Sequence, residues 1–183
     1  MGRKLQYHER KLLKKHDFMH YEREDEDRER EIMRRYHVLS AKEYIMYRRA
    51  VGTITKLADR LRKLPQDDVV RLDQTTKLMR RLYDMGLVAR RNDGLLAASA
   101  VNSSAFCRRR LPVVMVTLKM CQTNEDATRL VEQGHVRVGP KVITDPAFLV
   151  SRSSETQVMW VDNSKLRRAV KEYRGELDDF DML

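Results

Sequence analysis

Apolar residues recur at spacings of three and four along most of the chain and turn to strict alternation only near residue 135. From Ala41 to Leu64, the positions Tyr44, Tyr47, Val51, Ile54, Ala58 and Leu61 mark one face of a long helix that Pro65 ends. Val70, Leu72, Leu78, Met79, Leu82 and Tyr83 outline a second helix, capped by Asp67 or Asp68 and stopped by Gly86, with those six residues turned inward. The short loop between the two predicts an antiparallel pair. Residues 92–104 are rich in Gly, Ala, Ser and Asn, which marks a boundary. Within that stretch, 95–101 is expected as a short strand.

A second periodic block follows. Val113, Val114, Met115, Val116, Leu118 and Met120 form an apolar helix, with Pro112 in its first turn, where a missing N–H costs nothing. Thr123 with Asp126 three residues on is a start signal of the capping-box kind. Ala127, Leu130 and Val131 give that next helix one buried face, and Gly134 is its expected stop. His135-Val-Arg-Val alternates, Gly139-Pro140 turns the chain into Lys141-Val-Ile, and Gln157-Val-Met-Trp-Val reads as a closing strand. The prediction is an α+β chain: a helical N-terminal half followed by a small domain of two helices packed on a short, mostly antiparallel sheet. Its parts are 1–40 (basic arm and acidic linker helices), 41–92 (helical hairpin), 93–106 (linker), 107–162 (the α+β domain) and 163–183 (a basic then acidic tail).

Charge changes the picture from fold to partner. Among 183 residues, Lys and Arg number 37 against 27 Asp and Glu, a net charge of +10, and the isoelectric point is near 9.8. Such a balance favours a polyanionic partner, RNA or DNA before a membrane. Between Arg108 and Lys141, seven basic residues (Arg108, Arg109, Arg110, Lys119, Arg129, Arg137, Lys141) stand against three acids. If the two helices pack on the strands, these charges converge on one face of phosphate-backbone size. A basic arm, with Arg3, Lys4, Arg10, Lys11, Lys14 and Lys15, opens the chain. Three readings of it stay open: an arm folding on RNA or a partner, a nuclear-import signal, or a solvated helix. Residues 17–31 reverse the sign, as a solvated helix face or link does. Trp160 is read as core or as a stacking platform for a base.

Catalytic and metal chemistry find little support. Gly134-His-Val-Arg-Val-Gly lacks the phosphate-loop spacing and its Lys-Ser/Thr. Cys107 and Cys121, fourteen apart with no second cysteine pair, do not make a four-ligand zinc site, and two cysteines give no disulfide framework. Met1-Gly-Arg-Lys leads into charge, so no secretory signal is expected, and no apolar run approaches a membrane span. No enzyme, cofactor, small-molecule substrate or membrane association is expected.

The motifs in the second half resemble a known family. Arg-Arg-Leu, helix, Thr-x-x-x-Ala, helix, Gln-Gly-His-Val-x-Val and Asp145-Pro-Ala-Phe-Leu-Val together are similar to the RNA-binding domain of small-subunit ribosomal protein S-four. Cys107-Arg-Arg-Arg-Leu-Pro, Trp160-Val-Asp-Asn-Ser-Lys, the Asp178-Asp-Phe-Asp ending and the amino terminus bring it closest to the branch found in the U-three small nucleolar ribonucleoprotein. That resemblance covers the chain nearly end to end and implies an S-four-type domain over 107–162. It implies RNA contacts at Arg108, Arg109, Arg110, Lys119, Thr123, Asn124, Arg129, Gln133, His135, Arg137 and Lys141, with His135 either facing RNA or structural. It implies a nucleolar, non-catalytic factor that aids pairing of the U-three small nucleolar RNA with pre-rRNA during small-subunit rRNA processing. It also implies a partner, the M-phase phosphoprotein scaffold of that particle. Two departures stand out: Thr123-Asn124 replaces the frequent Ser-Arg at the helix start, and Gly139-Pro140 replaces Asn-Gly. Arg129 or Lys119 is then expected to take over the lost phosphate contact. Two alternatives remain, a small-subunit ribosomal protein of the parent family and a protein–protein adaptor for an acidic partner.

Overall fold

The structure, a computed structural model, describes residues 3–15 and 23–175. The acidic tail from 176 onward and the start of the acidic stretch at 17–22 lie outside the described residues. In chain order the elements are α1 (Tyr7–Lys15), α2 (Arg23–Arg35), α3 (Ala41–Arg62), α4 (Val69–Asp84), α5 (Gly94–Ser99), α6 (Ser103–Arg108), α7 (Leu111–Thr117), α8 (Asn124–Glu132), β1 (Val136–Val138), β2 (Lys141–Val142), α9 (Arg152–Glu155), β3 (Val158–Trp160) and α10 (Lys165–Arg174). The α+β reading holds. The sheet is antiparallel with order β2-β1-β3, and Val138 faces Lys141 across the two-residue Gly139–Pro140 turn.

Two hydrophobic clusters form. The first joins α3, α4, α5 and α6 through Tyr44, Tyr47, Ala58, Met79, Leu82, Ala98 and Phe106, and the Tyr47 and Phe106 rings stack at 5.8 Å. The second joins α7, α8 and the sheet through Leu111, Met115, Val131, Val136 and Val158. One ends at Cys107 and the other begins at Leu111, so Arg108, Arg109 and Arg110 occupy the seam between them.

Three expectations are corrected here. Residues 95–101 are not a strand: α5 takes their place, because Leu95, Ala98 and Val101 recur every three residues and alanine favours a helix. The segment 93–106 is therefore not a linker but part of the first core. In α4, Val70 and Leu72 are 58% and 57% exposed, not inward. The buried and half-buried row of α4 runs instead through Thr75, Leu78, Met79 and Leu82. In its first turn lies Arg71, which donates to the Leu64 carbonyl at 2.7 Å.

Candidate nucleic-acid interface

Helix ends do much of the positioning. Thr123 caps α8, its hydroxyl accepting from the Asp126 N–H at 3.1 Å. At the other end, Gly134 has φ +75°, and the N–H groups of Gly134 and His135 reach the carbonyls of Val131 and Leu130. This paired closure with a left-handed residue ends a helix and aims the chain into β1. The same closure ends α7, where Lys119 and Met120 donate to Val116 and Met115. There the left-handed residue, φ +60°, is Lys119 and not a glycine.

The arginine triplet splits into three roles. Arg108 is exposed at the end of α6. Arg109 is largely buried; its Nε donates to the Val150 carbonyl at 2.8 Å and its Nη1 to Glu155 at 2.9 Å. Arg110 is 2% exposed and reaches across the seam to Glu43 and to the Tyr47 hydroxyl, at 3.2 Å from the latter. Burial works to lower the Arg110 pKa, but the hydrogen bond to Glu43 and the neighbouring Tyr47 raise it further, so the guanidinium stays charged. Arg152 answers from the other side, bonding the Val88 carbonyl at 2.8 Å and lying 4.2 Å from the Tyr83 ring centre. Gly86 leaves room for the Arg109 side chain: a Cβ there would come within 2.8 Å of its guanidine.

The expectation that Arg109 and Arg110 touch RNA is thus corrected. Both are spent on the seam between the two cores, because a largely buried guanidinium already engaged by partly buried carboxylates and a backbone carbonyl satisfies them and not a phosphate. Sequence reasoning missed Glu43, Tyr47, Arg152 and Glu155 as their partners. The one available signal was Glu43, a carboxylate one turn before Tyr47 on the edge of an otherwise apolar face.

The remaining expected residues are placed as follows. Lys119, Gln133 and Lys141 are exposed. Arg129 is exposed and paired loosely with Glu125 at 3.4 Å. Arg108, Lys119 and Lys141 make no ion pair among the described residues. Asn124 donates to the Arg35 carbonyl at 2.9 Å and thereby ties α8 to the end of α2. With Thr123 capping, that pair is engaged within the protein. His135 is half-buried with Nδ1 3.1 Å from the Ser164 hydroxyl, so of its two readings the structural one is what its contacts describe. Arg137 is half-buried against the Trp160 carbonyl and Asp162. In the arm, no residue of α1 is buried; Lys4, Arg10, Lys11, Lys14 and Lys15 are exposed, and Arg3 pairs with Glu9.

Cys107 is fully buried, and burial pushes its thiol up to about 11, so it stays protonated at neutral pH and is a poor nucleophile. Among the described residues no group of three His, Cys, Asp or Glu is arranged to hold a metal ion. No helix among them is long and apolar enough to cross a membrane.

Comparison with known proteins divides the chain where the cores divide. Residues 4–108 match the family model described as Ribosomal protein S4/S9 N-terminal domain, and residues 109–155 match the S4 domain. The protein named "U3 small nucleolar ribonucleoprotein protein IMP3" of Saccharomyces cerevisiae is 45% identical over 99% of each chain. Its namesake in Homo sapiens is 48% identical over 100% of this chain and 99% of its own. A "Small ribosomal subunit protein uS4", from Entamoeba histolytica, reaches 26% over 91% of this chain and 89% of its own. With a ribosomal S4-type helical half, an S4 domain beyond the arginine seam, and close likeness along its whole length, the chain belongs to the IMP3 family of S4-domain proteins.

Proposed function

We propose that this chain is a non-catalytic RNA-binding component of the U3 small nucleolar ribonucleoprotein, working in the nucleolus. In this reading it aids pairing of the small nucleolar RNA with pre-rRNA in small-subunit rRNA processing and ribosome biogenesis. The observation that carries it is the likeness, at 45–48% identity over essentially the full chain, to proteins that bear the name of that particle. Arg108, Lys119, Arg129 and Lys141, exposed around the S4 domain, are the proposed phosphate contacts, with Gln133 beside them and Arg137 at their margin. The exposed arm from Arg3 to Lys15 adds a further RNA or partner contact, and the M-phase phosphoprotein scaffold of the same particle is the proposed protein partner.

Backbone-directed cations lower the repulsion between two phosphate chains, so that a short duplex forms while base pairing supplies the sequence. No step of this needs a nucleophile, a cofactor or a metal.

Crosslinking the intact protein to cellular RNA and sequencing the attached fragments tests the reading. Recovery of small nucleolar RNA and pre-rRNA spacer sequence is expected. Stable sedimentation with mature small subunits would favour a ribosomal protein instead, and absence of crosslinked RNA would favour an adaptor for an acidic protein.

A further inference from the structure

We propose that the cleft between β3 and α10 seats single-stranded RNA, one unpaired base stacking on Trp160 while flanking phosphates lie along Arg167, Lys171 and Arg174. This rests on the RNA reading above and adds a second contact of different chemistry. The cleft has a volume of about 330 Å3; Trp160 and Met159 form part of its floor, and Arg137, Arg167, Lys171 and Arg174 line its wall. β3 is an edge strand of the sheet, and residues of β3 and α10 line the cleft together. Trp160 is half-buried: one part packs on the second core, and the rest borders the cleft. Met159 beside it is 43% exposed.

The cations follow the groove in a row. Residues 167, 171 and 174 stand four and three apart on α10, which at ~1.5 Å rise per residue separates them by roughly 6 and 4.5 Å along the axis. Asp162 pairs with Arg167 and, at 3.2 Å, with Arg137, and so ties together two of the guanidinium groups that line the cleft. Among the described residues, those that line the cleft include four cations and no carboxylate. α10 is held in place by Ser164, which caps it at the Leu166 N–H and bonds His135. Cations in line beside a flat ring are the elements that bind single strands with little sequence preference. In a duplex the base faces are already stacked on each other, so the ring of Trp160 has nothing to receive. An acidic peptide satisfies the cations but leaves the ring unused.

Trp160 is the only tryptophan in the chain, so its fluorescence reports this cleft alone. The full-length protein is titrated with oligouridylate, an RNA duplex of equal length and oligoglutamate, while the anisotropy of labelled RNA is followed in parallel. Oligouridylate is expected to quench Trp160 with the same midpoint that anisotropy gives. Arg174→Glu, at an exposed site, should weaken that binding with an unchanged Tm. Trp160→Phe, which keeps a ring, should retain binding, whereas Trp160→Leu should lose about fivefold or more. RNA binding with unmoved fluorescence overturns the cleft and leaves the proposed function standing. Equal quenching by duplex or by oligoglutamate also overturns it, the latter in favour of an acidic peptide. No anisotropy change with any RNA overturns both.

Discussion

Arg110 and Glu43 show how one residue pair decides what a basic motif is for. A buried ion pair is costly to break, because removing one partner strands the other charge out of water. Glu43→Ala should therefore destabilise the protein by about 3–5 kcal/mol, and Glu43→Gln, which keeps an acceptor, by less. Urea unfolding measures both, and a loss below about 1 kcal/mol, the value of a surface pair, would contradict the seam. Replacing Arg110 with Ala would damage the fold in the same way, so it is no probe of RNA contact. Cys107 offers a pH signature. Its thiol has an ordinary value of 9.0 and is pushed up to about 11 in the folded state. From pH 9 upward the unfolded chain loses that proton while the folded chain keeps it, so stability present below pH 9 is lost as pH climbs towards 11. Two pKa units correspond to about 2.7 kcal/mol at most. Burial raises Tyr44 and Tyr47 in the same sense, so the wild type is compared with Cys107→Ala. The variant should show a shallower fall in urea stability between pH 9 and 11, and identical slopes would sink this account.

Among the elements, helix C-termini carry the most positional meaning. α4, α7 and α8 all close with a left-handed residue, and glycine supplies it after α4 and α8. At Lys119 a side chain occupies a conformation that costs an L-residue roughly 1–2 kcal/mol. Strain of this kind points from the backbone towards a use for the side chain. Lys119→Gly should raise stability by about 1 kcal/mol while weakening RNA binding, a split that thermal unfolding and filter binding read separately. Gained stability with unchanged affinity would remove Lys119 from the interface. Gly86→Ala tests the turn after α4 in the opposite direction. The added methyl meets the Arg109 guanidine and must displace it from Val150 and Glu155, so a lower Tm is expected, whereas Gly52→Ala, with open space around it, should leave Tm unchanged or raised.

At the scale of the molecule, two cores are fastened by arginines reaching across a seam from both sides, and the exposed cations, Arg108 in the seam included, take no part in that fastening. Charge removal and fold removal are therefore separable. Replacing Arg108, Arg129 and Lys141 together with Ala should leave unfolding unchanged and flatten the salt dependence of RNA affinity by roughly 0.7–0.9 log units per phosphate contact. An unaltered slope would show that these three face elsewhere. Much of the architecture was legible along the chain. The spacing of Tyr44 to Leu61, the Thr123 cap, the Gly134 stop and the alternation after it are local signals, written within a few residues and read by backbone geometry alone. They determined α3, α8, the hairpin and the basic character that suits RNA. What only the tertiary structure decided is which charges are free. Arg108, Arg109 and Arg110 are the same residue type in succession, and their fates differ because one points to water, one meets the Val150 carbonyl and Glu155, and one meets Glu43, sixty-seven residues earlier in the chain. A charge pair that distant leaves no periodic trace, since only folding brings its two halves within reach.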